Sequence, residues 1–377
     1  MPATDPSLDV AERFVIVYGP ELATYSFGPD HPLQATRYLL TMSLLSELHW
    51  LASPGIQIVP PRFATLSELL AVHTYPYVQA VQQAQAIARG ERPRTDLSLY
   101  GLGTPDDPIF PQMHDAAALY TGATIQGMCA LLEDLADHAY SPAGGQHHAH
   151  KARASGFCIY NDSAAAIALA LESGRRVAYL DLDAHHGDGV QAAFYNDPRV
   201  LTISIHESGR YLFPGTGGVD ETGSGEGEGA CINVPLEPGA GDNDILDALE
   251  QVVVPALETF APDILLTQIG ADTHHADPLT DLNATLAVYP RLASRIHDLV
   301  HHCCSGRWLI VGGGGYDPVD ATPRAWASFI GTVLGHDPRG VALPQAWIAA
   351  SRAAGGDPPT LLLEDPGPSR ACLPARE

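Results

Sequence analysis

A chain of 377 residues, 45% hydrophobic and 17% charged, is long enough to bury a sizeable core. It has no apolar run near the roughly 18 residues that cross a bilayer, which excludes a membrane-spanning protein. Twenty Lys and Arg against 44 Asp and Glu give a formal net charge of −24; such a field repels phosphate backbones and argues against a nucleic-acid partner, while a solubilising surface or a basic substrate both fit it.

The first expected element is a buried parallel strand at residues 14–18, a short apolar, β-branched run. Helical spacing follows over 37–50, 65–89 and 116–136. The Gly-containing loop 142–146 then leads into His147 and His148, and Asn161-Asp162 supplies capping side chains for an Ala-rich helix at 162–172. Strands are expected at 177–183 and 200–206, a helix at 244–260, and strands at 264–270 and 308–311. This alternation predicts an α/β fold: one three-layer domain with a mostly parallel central sheet, spanning 1–335. Over 336–377 a series of prolines (338, 344, 358, 359, 366, 368, 374) opposes long regular elements, so that segment is read as a Pro-rich C-terminal arm without function. Six cysteines with no CxxC pair, and an N-terminus (1–12) with neither a basic nor an apolar leader, give the expectation of a reduced, cytoplasmic protein.

Histidine is the compositional outlier, with 17 residues and three tight clusters around His147-His148, His185-His186 and His274-His275. In a doubly wound sheet, sites form at the carboxyl ends of strands. The strand at 177–183 opens there into Asp181-Leu182-Asp183-Ala184-His185-His186-Gly187-Asp188, and period-two alternation sends Asp181 and Asp183 to one side. The strand at 264–270 runs into Asp272. Asp183, His185 and Asp272 make a three-ligand divalent site with open positions for water and substrate, whereas a structural zinc is closed by four ligands, usually including Cys. Singly, each of these residues would serve equally well as a helix cap or loop hydrogen-bonder; their conjunction points to chemistry. The paired imidazoles of His147 and His148 suit acid–base work when a carboxylate orients each, and Asp181 and Asp188 are left over for that task. The strand at 308–311 ends in four glycines and Tyr316 without the GK[ST] or GxGxxG spacing of a phosphate loop. Those glycines allow close backbone approach and present the Tyr316 hydroxyl to a developing oxyanion.

In this order, the stretches Gly144-Gly145-Gln146-His147-His148-Ala149, Ala154-Ser155-Gly156-Phe157-Cys158, 181–189, Phe213-Pro214-Gly215-Thr216-Gly217, Gly270-Ala271-Asp272 and 312–316 resemble the zinc-dependent histone deacetylase family over roughly residues 14–335. Residues 27–32 and 100–104 resemble its bacterial acetoin-utilisation-type, class I-like branch. The resemblance implies an arginase/deacetylase-like fold and zinc, with iron(II) as the alternative ion, on Asp183, His185 and Asp272. It also implies a potassium ion at Asp181, Asp183, His185, Ser204 and Ile205, and tandem catalytic histidines His147 and His148 oriented by Asp181 and Asp188. Tyr316 would polarise the scissile carbonyl. Substrate contacts are implied at Asp106, Gly156, Phe157, Phe213, Leu279 and Gly314, with Asp106 on the rim holding substrate backbone and the two phenylalanines walling an acyl-lysine tunnel.

The implied reaction removes acetyl from the ε-amine of lysine in proteins and releases acetate, so the expected partner is an acetylated protein or a small acetylated amine. The alternatives are an acetylpolyamine amidohydrolase, an arginase-like dimanganese hydrolase and an inactive acyl-lysine-binding protein. Against the second, Asp183-x-His185-x-x-Asp188 is one residue too long for DxHxD and Asp272-x-His274 replaces DxD; against the third, every catalytic position holds a competent residue. The sequence departs from the family pattern at Gln146, where class I relatives are apolar beneath the zinc, at Ala35 in place of a proline, and at His274-His275. Arg37, matching the arginine of the acetate-release channel, is present.

Overall fold

The computed structural model describes residues 12–367; Met1–Ala11, Pro368, Cys372 and Pro374 lie outside them. In chain order the elements are β1 (Phe14–Val17), α1 (Thr36–Glu47), β2 (Ile56–Val59), α2 (Leu66–Leu70), α3 (Tyr75–Ala88), α4 (Met113–Leu132) and β3 (His138–Ser141). They continue with α5 (Asp162–Glu172), β4 (Val177–Asp181), α6 (Asp188–Phe194), β5 (Val200–Glu207), β6 (Cys231–Leu236), α7 (Asp242–Ala248) and α8 (Val254–Phe260). The last are β7 (Ile264–Gln268), α9 (Val288–Cys303), β8 (Trp308–Val311), α10 (Ala321–Val333) and α11 (Gln345–Ala353).

The strands form one eight-stranded sheet in the order β2-β1-β3-β8-β7-β4-β5-β6, every pairing parallel. Helices cover both faces: α1 packs with α10 and α11 and α9 with α7, α8 and α10, while α3 and α5 pack on α4. β1, β3, β4, β5, β7 and β8 are buried along their whole length; β1 and β8 are accordingly apolar throughout, while β3, β4, β5 and β7 also carry polar residues. The decisive consequence is adjacency. β3, β8, β7 and β4 are consecutive in the sheet, so the four loops leaving their carboxyl ends open into one crevice.

Several expected elements divide or end differently. The helix expected over 65–89 is two, because Thr74 caps α3, accepting from the Tyr77 N–H at 3.4 Å, and Pro76 sits in its first turn. The helix expected over 244–260 is interrupted by a π-turn at Leu249–Val253 just before Pro255. Pro255 lacks the N–H that would continue the ladder, and its ring crowds the carbonyl four residues back; a widened turn absorbs both. The strand expected to reach Asp183 ends at Asp181, whose Oδ1 accepts the Asp183 N–H at 3.1 Å and turns the chain out of the ladder. β2, β3, β6, α6, α9, α10 and α11 have no counterpart among the expected elements. α11 lies within the proline-containing segment: Trp347 is fully buried and its Nε1 donates to Leu40 O at 2.9 Å. Among the described residues no helix is long and apolar enough to cross a membrane.

Candidate active site

The loop leaving β3 reaches His147 and His148 under tight control from the start of α5. Asn161 caps α5, its Oδ1 accepting from Ala164 N at 2.9 Å, while its Nδ2 donates to His147 O (3.2 Å) and Ala149 O (3.0 Å). Asp162 accepts from Gly145 N (3.0 Å), Gln146 N (2.8 Å) and Thr124 Oγ1 (2.6 Å). A buried carboxylate surrounded by otherwise orphaned N–H groups fixes a Gly-rich loop that would sample many conformations alone.

Each of the two imidazoles is oriented through its Nδ1. His147 lies 2.8 Å from Asp181 Oδ2 and His148 lies 2.7 Å from Asp188 Oδ1, leaving the Nε2 atoms facing each other at 3.0 Å. The dyads differ in charge. Burial opposes protonation of His147, but Asp181 and Asp183 outweigh it and raise its pKa to about 9. Burial and the neighbouring His147 charge push His148 down to about 3. Asp188 Oδ2 also meets His150 Nε2 at 3.1 Å, so this carboxylate is directed at two imidazoles and away from the Asp183 cluster.

Asp183, His185 and Asp272 converge as expected from their strand ends. His185 Nδ1 is 2.9 Å from Asp272 Oδ2 and 3.3 Å from Asp183 Oδ1, and both aspartates are fully buried. Among the described residues, their only salt-bridge partners are histidines. Burial and the facing Asp183 charge drive Asp272 well above the usual carboxylate range. Two buried carboxylates on one imidazole leave an uncompensated charge that a divalent cation would neutralise, and the oxygen–nitrogen donor set suits a borderline ion. The residues therefore fit a metal. Glycine is required beside them, because a Cβ on Gly314 would overlap the Asp272 carboxylate; with only hydrogen there, Gly314 N donates to Asp183 Oδ2 at 2.5 Å.

Around this centre stand aromatic rings. Ring centroids are 4.9 Å apart for His148 and Phe213, 5.8 Å for Phe157 and Tyr316, and 6.1 Å for His185 and Tyr316. A Cβ on Gly156 would press on both His148 and Phe213, so the glycine keeps the passage open. Burial, Asp272 and Asp183 push the Tyr316 hydroxyl well above its ordinary pKa, which keeps it a donor. Asp106 is exposed at the outer edge, its carbonyl 3.1 Å from His31 Nε2, and the His31 ring lies 4.5 Å from that of Phe157. Beneath the site Arg37 is buried over Trp326 and donates to Gly315 O at 3.2 Å. Among the described residues Arg37 Nε and Gln146 Oε1 are both buried without a hydrogen-bond partner. Ser204 is paired in register with Asp181, its Oγ 2.9 Å from His206 Nδ1, and Ile205 follows it in β5.

Three supporting residues escaped the sequence reading. Gln268, opposite Asp181 in the β4–β7 ladder, donates to Asp183 Oδ2 at 3.0 Å and its Nε2 lies 2.9 Å from His147 Nδ1. Asp277 accepts from Leu279 N (2.9 Å) and Tyr316 N (2.7 Å), tying the loops that carry Leu279 and Tyr316 together. Asp365 receives His274 Nε2 at 2.8 Å and His275 Nε2 at 2.6 Å, so these histidines brace the loop after Asp272. Only Gln268 left a signal in sequence, a strongly polar residue closing a buried strand.

An eight-stranded parallel α/β sheet with acid–base pairs and an Asp-His-Asp cluster at its carboxyl edge is the architecture of a hydrolase. Residues 31–333 match the histone deacetylase domain, and the chain belongs to the histone deacetylase family. Within it the chain is similar to the acetoin utilization protein AcuC of Bacillus subtilis (strain 168), 46% identical over 335 residues that cover 89% of this chain and 85% of that protein. AcuC of Staphylococcus xylosus is 36% identical over 333 residues, covering 88% and 85%. Among solved structures, a histone deacetylase homologue from Aquifex aeolicus superposes with a TM-score of 0.84 at 29% identity, covering 95% of this chain and 96% of that one. A homologue complexed with SAHA gives 0.80 at 31% identity, covering 91% and 88%.

Proposed function

We propose that this chain is a metal-dependent amidohydrolase that removes acetyl groups from the ε-amine of lysine in proteins and releases acetate. The observation that carries the reading is geometric: His147 and His148, each held through Nδ1 by its own aspartate, stand side by side next to the Asp183-His185-Asp272 cluster. Zinc held by those three residues, or iron(II) in its place, would polarise the acetamide carbonyl and lower the pKa of water toward about 7.

The chain's own groups do the rest. His148, neutral and anchored through Nδ1 to Asp188, takes the proton of the attacking water at Nε2 and returns it to the leaving amine. His147 stays protonated against Asp181 and supplies fixed positive charge. The Tyr316 hydroxyl donates to the developing oxyanion, a contribution of about 3 kcal/mol for one such donor. Phe157 and Phe213 clasp the acyl-lysine stem, with Gly156, Gly314 and Leu279 completing the walls, and Arg37, held at Gly315 O, offers a buried cation on the route for acetate. A potassium ion at Asp181, Asp183, His185, Ser204 and Ile205 would buffer the negative charge behind the metal, a reading supported by the Asp181–Ser204 register. Free thiols at the five described cysteines support a reducing, cytoplasmic location.

The exposed Asp106 carboxylate supports a peptide substrate, since it would accept from consecutive backbone N–H groups that a polyamine lacks. Charge-assisted bonds of this type are worth about 1.5–3 kcal/mol each. Asp106→Ala should therefore lower kcat/KM for acetyl-lysine peptides at least about tenfold, the effect of about 1.4 kcal/mol, and change acetylpolyamine turnover far less. The measurement is acetate release from a panel of both substrate classes; equal losses on both would mean that Asp106 acts through loop structure or long-range charge and would remove the main residue-level support for a protein substrate over an acetylpolyamine.

A further inference from the structure

At the end of the sheet opposite the catalytic cluster, four side chains from three distant parts of the chain point their ligating atoms at one spot. Glu12 leads into β1, His138 is the first residue of β3, and His297 and His301 lie one turn apart on α9. Residues at i and i+4 share a helix face, which is the spacing of paired metal-binding histidines.

Their contacts conflict as hydrogen bonds. His297 Nε2 is 3.1 Å from His138 Nε2, 3.1 Å from His301 Nε2 and 3.1 Å from Glu12 Oε2. Glu12 Oε2 is also 3.3 Å from His138 Nε2, and Glu12 Oε1 lies 2.8 Å from His301 Nε2. A neutral imidazole carries at most one hydrogen on Nε2 and can satisfy one of three such partners. The remaining contacts set lone pair against lone pair or hydrogen against hydrogen. Protonating all three rings would instead crowd three positive charges around one carboxylate.

A cation at the centre removes the conflict. Four ligands at about 2.0–2.2 Å in a tetrahedron stand about 3.3–3.6 Å apart, slightly wider than the 2.8–3.3 Å of the five contacts just given. Among the described residues His138 Nδ1 is buried without a hydrogen-bond partner, so the side-chain hydrogen-bond contacts of this buried ring are those into the cluster. A hollow of about 340 Å³ beside Glu12, His297, Phe14 and Leu334 gives an ion access from solvent.

We propose that Glu12, His138, His297 and His301 form a second metal site that binds zinc(II) or a similar borderline divalent ion. Its four protein ligands close the coordination shell, which makes it structural rather than catalytic. It staples the segment before β1 to β3 and α9, contacts 126 and 285 residues apart in sequence.

The test is zinc content of the full-length protein after zinc loading and gel filtration in metal-free buffer. On an Asp183→Ala background, which disables the catalytic cluster, about one equivalent should remain, and adding His297→Ala and His301→Ala should remove it. In the otherwise wild-type chain, zinc should raise the unfolding temperature of apo protein with the second site intact more than that of the His297→Ala/His301→Ala variant, whose deacetylase turnover should match wild type. Both histidines are partly exposed on a helix where alanine is favoured, so folding is retained. An Asp183→Ala protein that elutes zinc-free, or zinc content indifferent to the two histidines, would overturn the proposal.

Discussion

His147 and His148 are adjacent and chemically identical, yet the fold raises one to about 9 and lowers the other to about 3. The difference lies in what each ring faces. His147 meets two carboxylates, Asp181 and Asp183, whereas His148 meets one, Asp188, and stands beside an imidazolium. Tyr316→Phe removes one hydroxyl from the oxyanion and should reduce kcat about 100- to 1,000-fold. His148→Ala removes the base and should reduce it at least as far. Neither variant should lose bound metal or unfold, and Asp183→Ala should lose metal as well as activity. Steady-state kinetics with metal analysis distinguishes these outcomes, and near wild-type turnover in both catalytic variants with stoichiometric metal would refute the roles. The candidate ligands and both histidines were legible in sequence because Asp and His at strand ends stand out. Asp277 and Asp365 were not, because an aspartate that only accepts backbone or imidazole N–H bonds looks like any loop aspartate until its partners, 39 and 91 residues away, are in place.

Between elements, buried polar contacts hold the site loops, and two of them give measurable expectations. His73, between α2 and α3, accepts the Asn161 N–H at Nε2 (3.0 Å) and meets His150 O through Nδ1 (3.0 Å). Burial lowers its pKa from 6.5 to about 4, and a proton on Nε2 would face the Asn161 donor. Because the folded pKa lies below the unfolded one, this contribution is fully present above about pH 6.5 and is lost as pH falls toward about 4, roughly 3 kcal/mol in all. Urea unfolding at several pH values should show this slope in wild type and a shallower one in His73→Gln. Asp365 joins His274, His275 and Leu286 N, the last at 3.0 Å. Asp365→Ala should cost about 1.5–3 kcal/mol of stability, read by denaturant unfolding, and should weaken zinc retention by loosening the loop behind Asp272. An unchanged unfolding midpoint would show that the C-terminal segment does not brace that loop.

For the whole molecule, stripping metal with a chelator should abolish acetate release and zinc or iron(II) should restore it; full activity in protein shown metal-free by elemental analysis would sink the mechanism. The net charge of −24 is compatible with a basic substrate and does not choose between a lysine-rich peptide and a polyamine. The sequence by itself determined the α/β class, because strands buried on both faces tend to near-continuous apolar runs and five of them alternate with helical spacing. It also marked the chemically distinctive residues, since several Asp and His gathered at strand ends point to chemistry where any one of them would equally be a cap or a loop hydrogen-bonder. Only the tertiary structure decided the strand order β3-β8-β7-β4, which makes neighbours of loops more than 100 residues apart, because pairing depends on crossovers that local sequence does not encode. The same holds for the pKa values and for the Glu12-His138-His297-His301 cluster. Both arise from distances and burial between remote residues, and those exist only once the chain has folded.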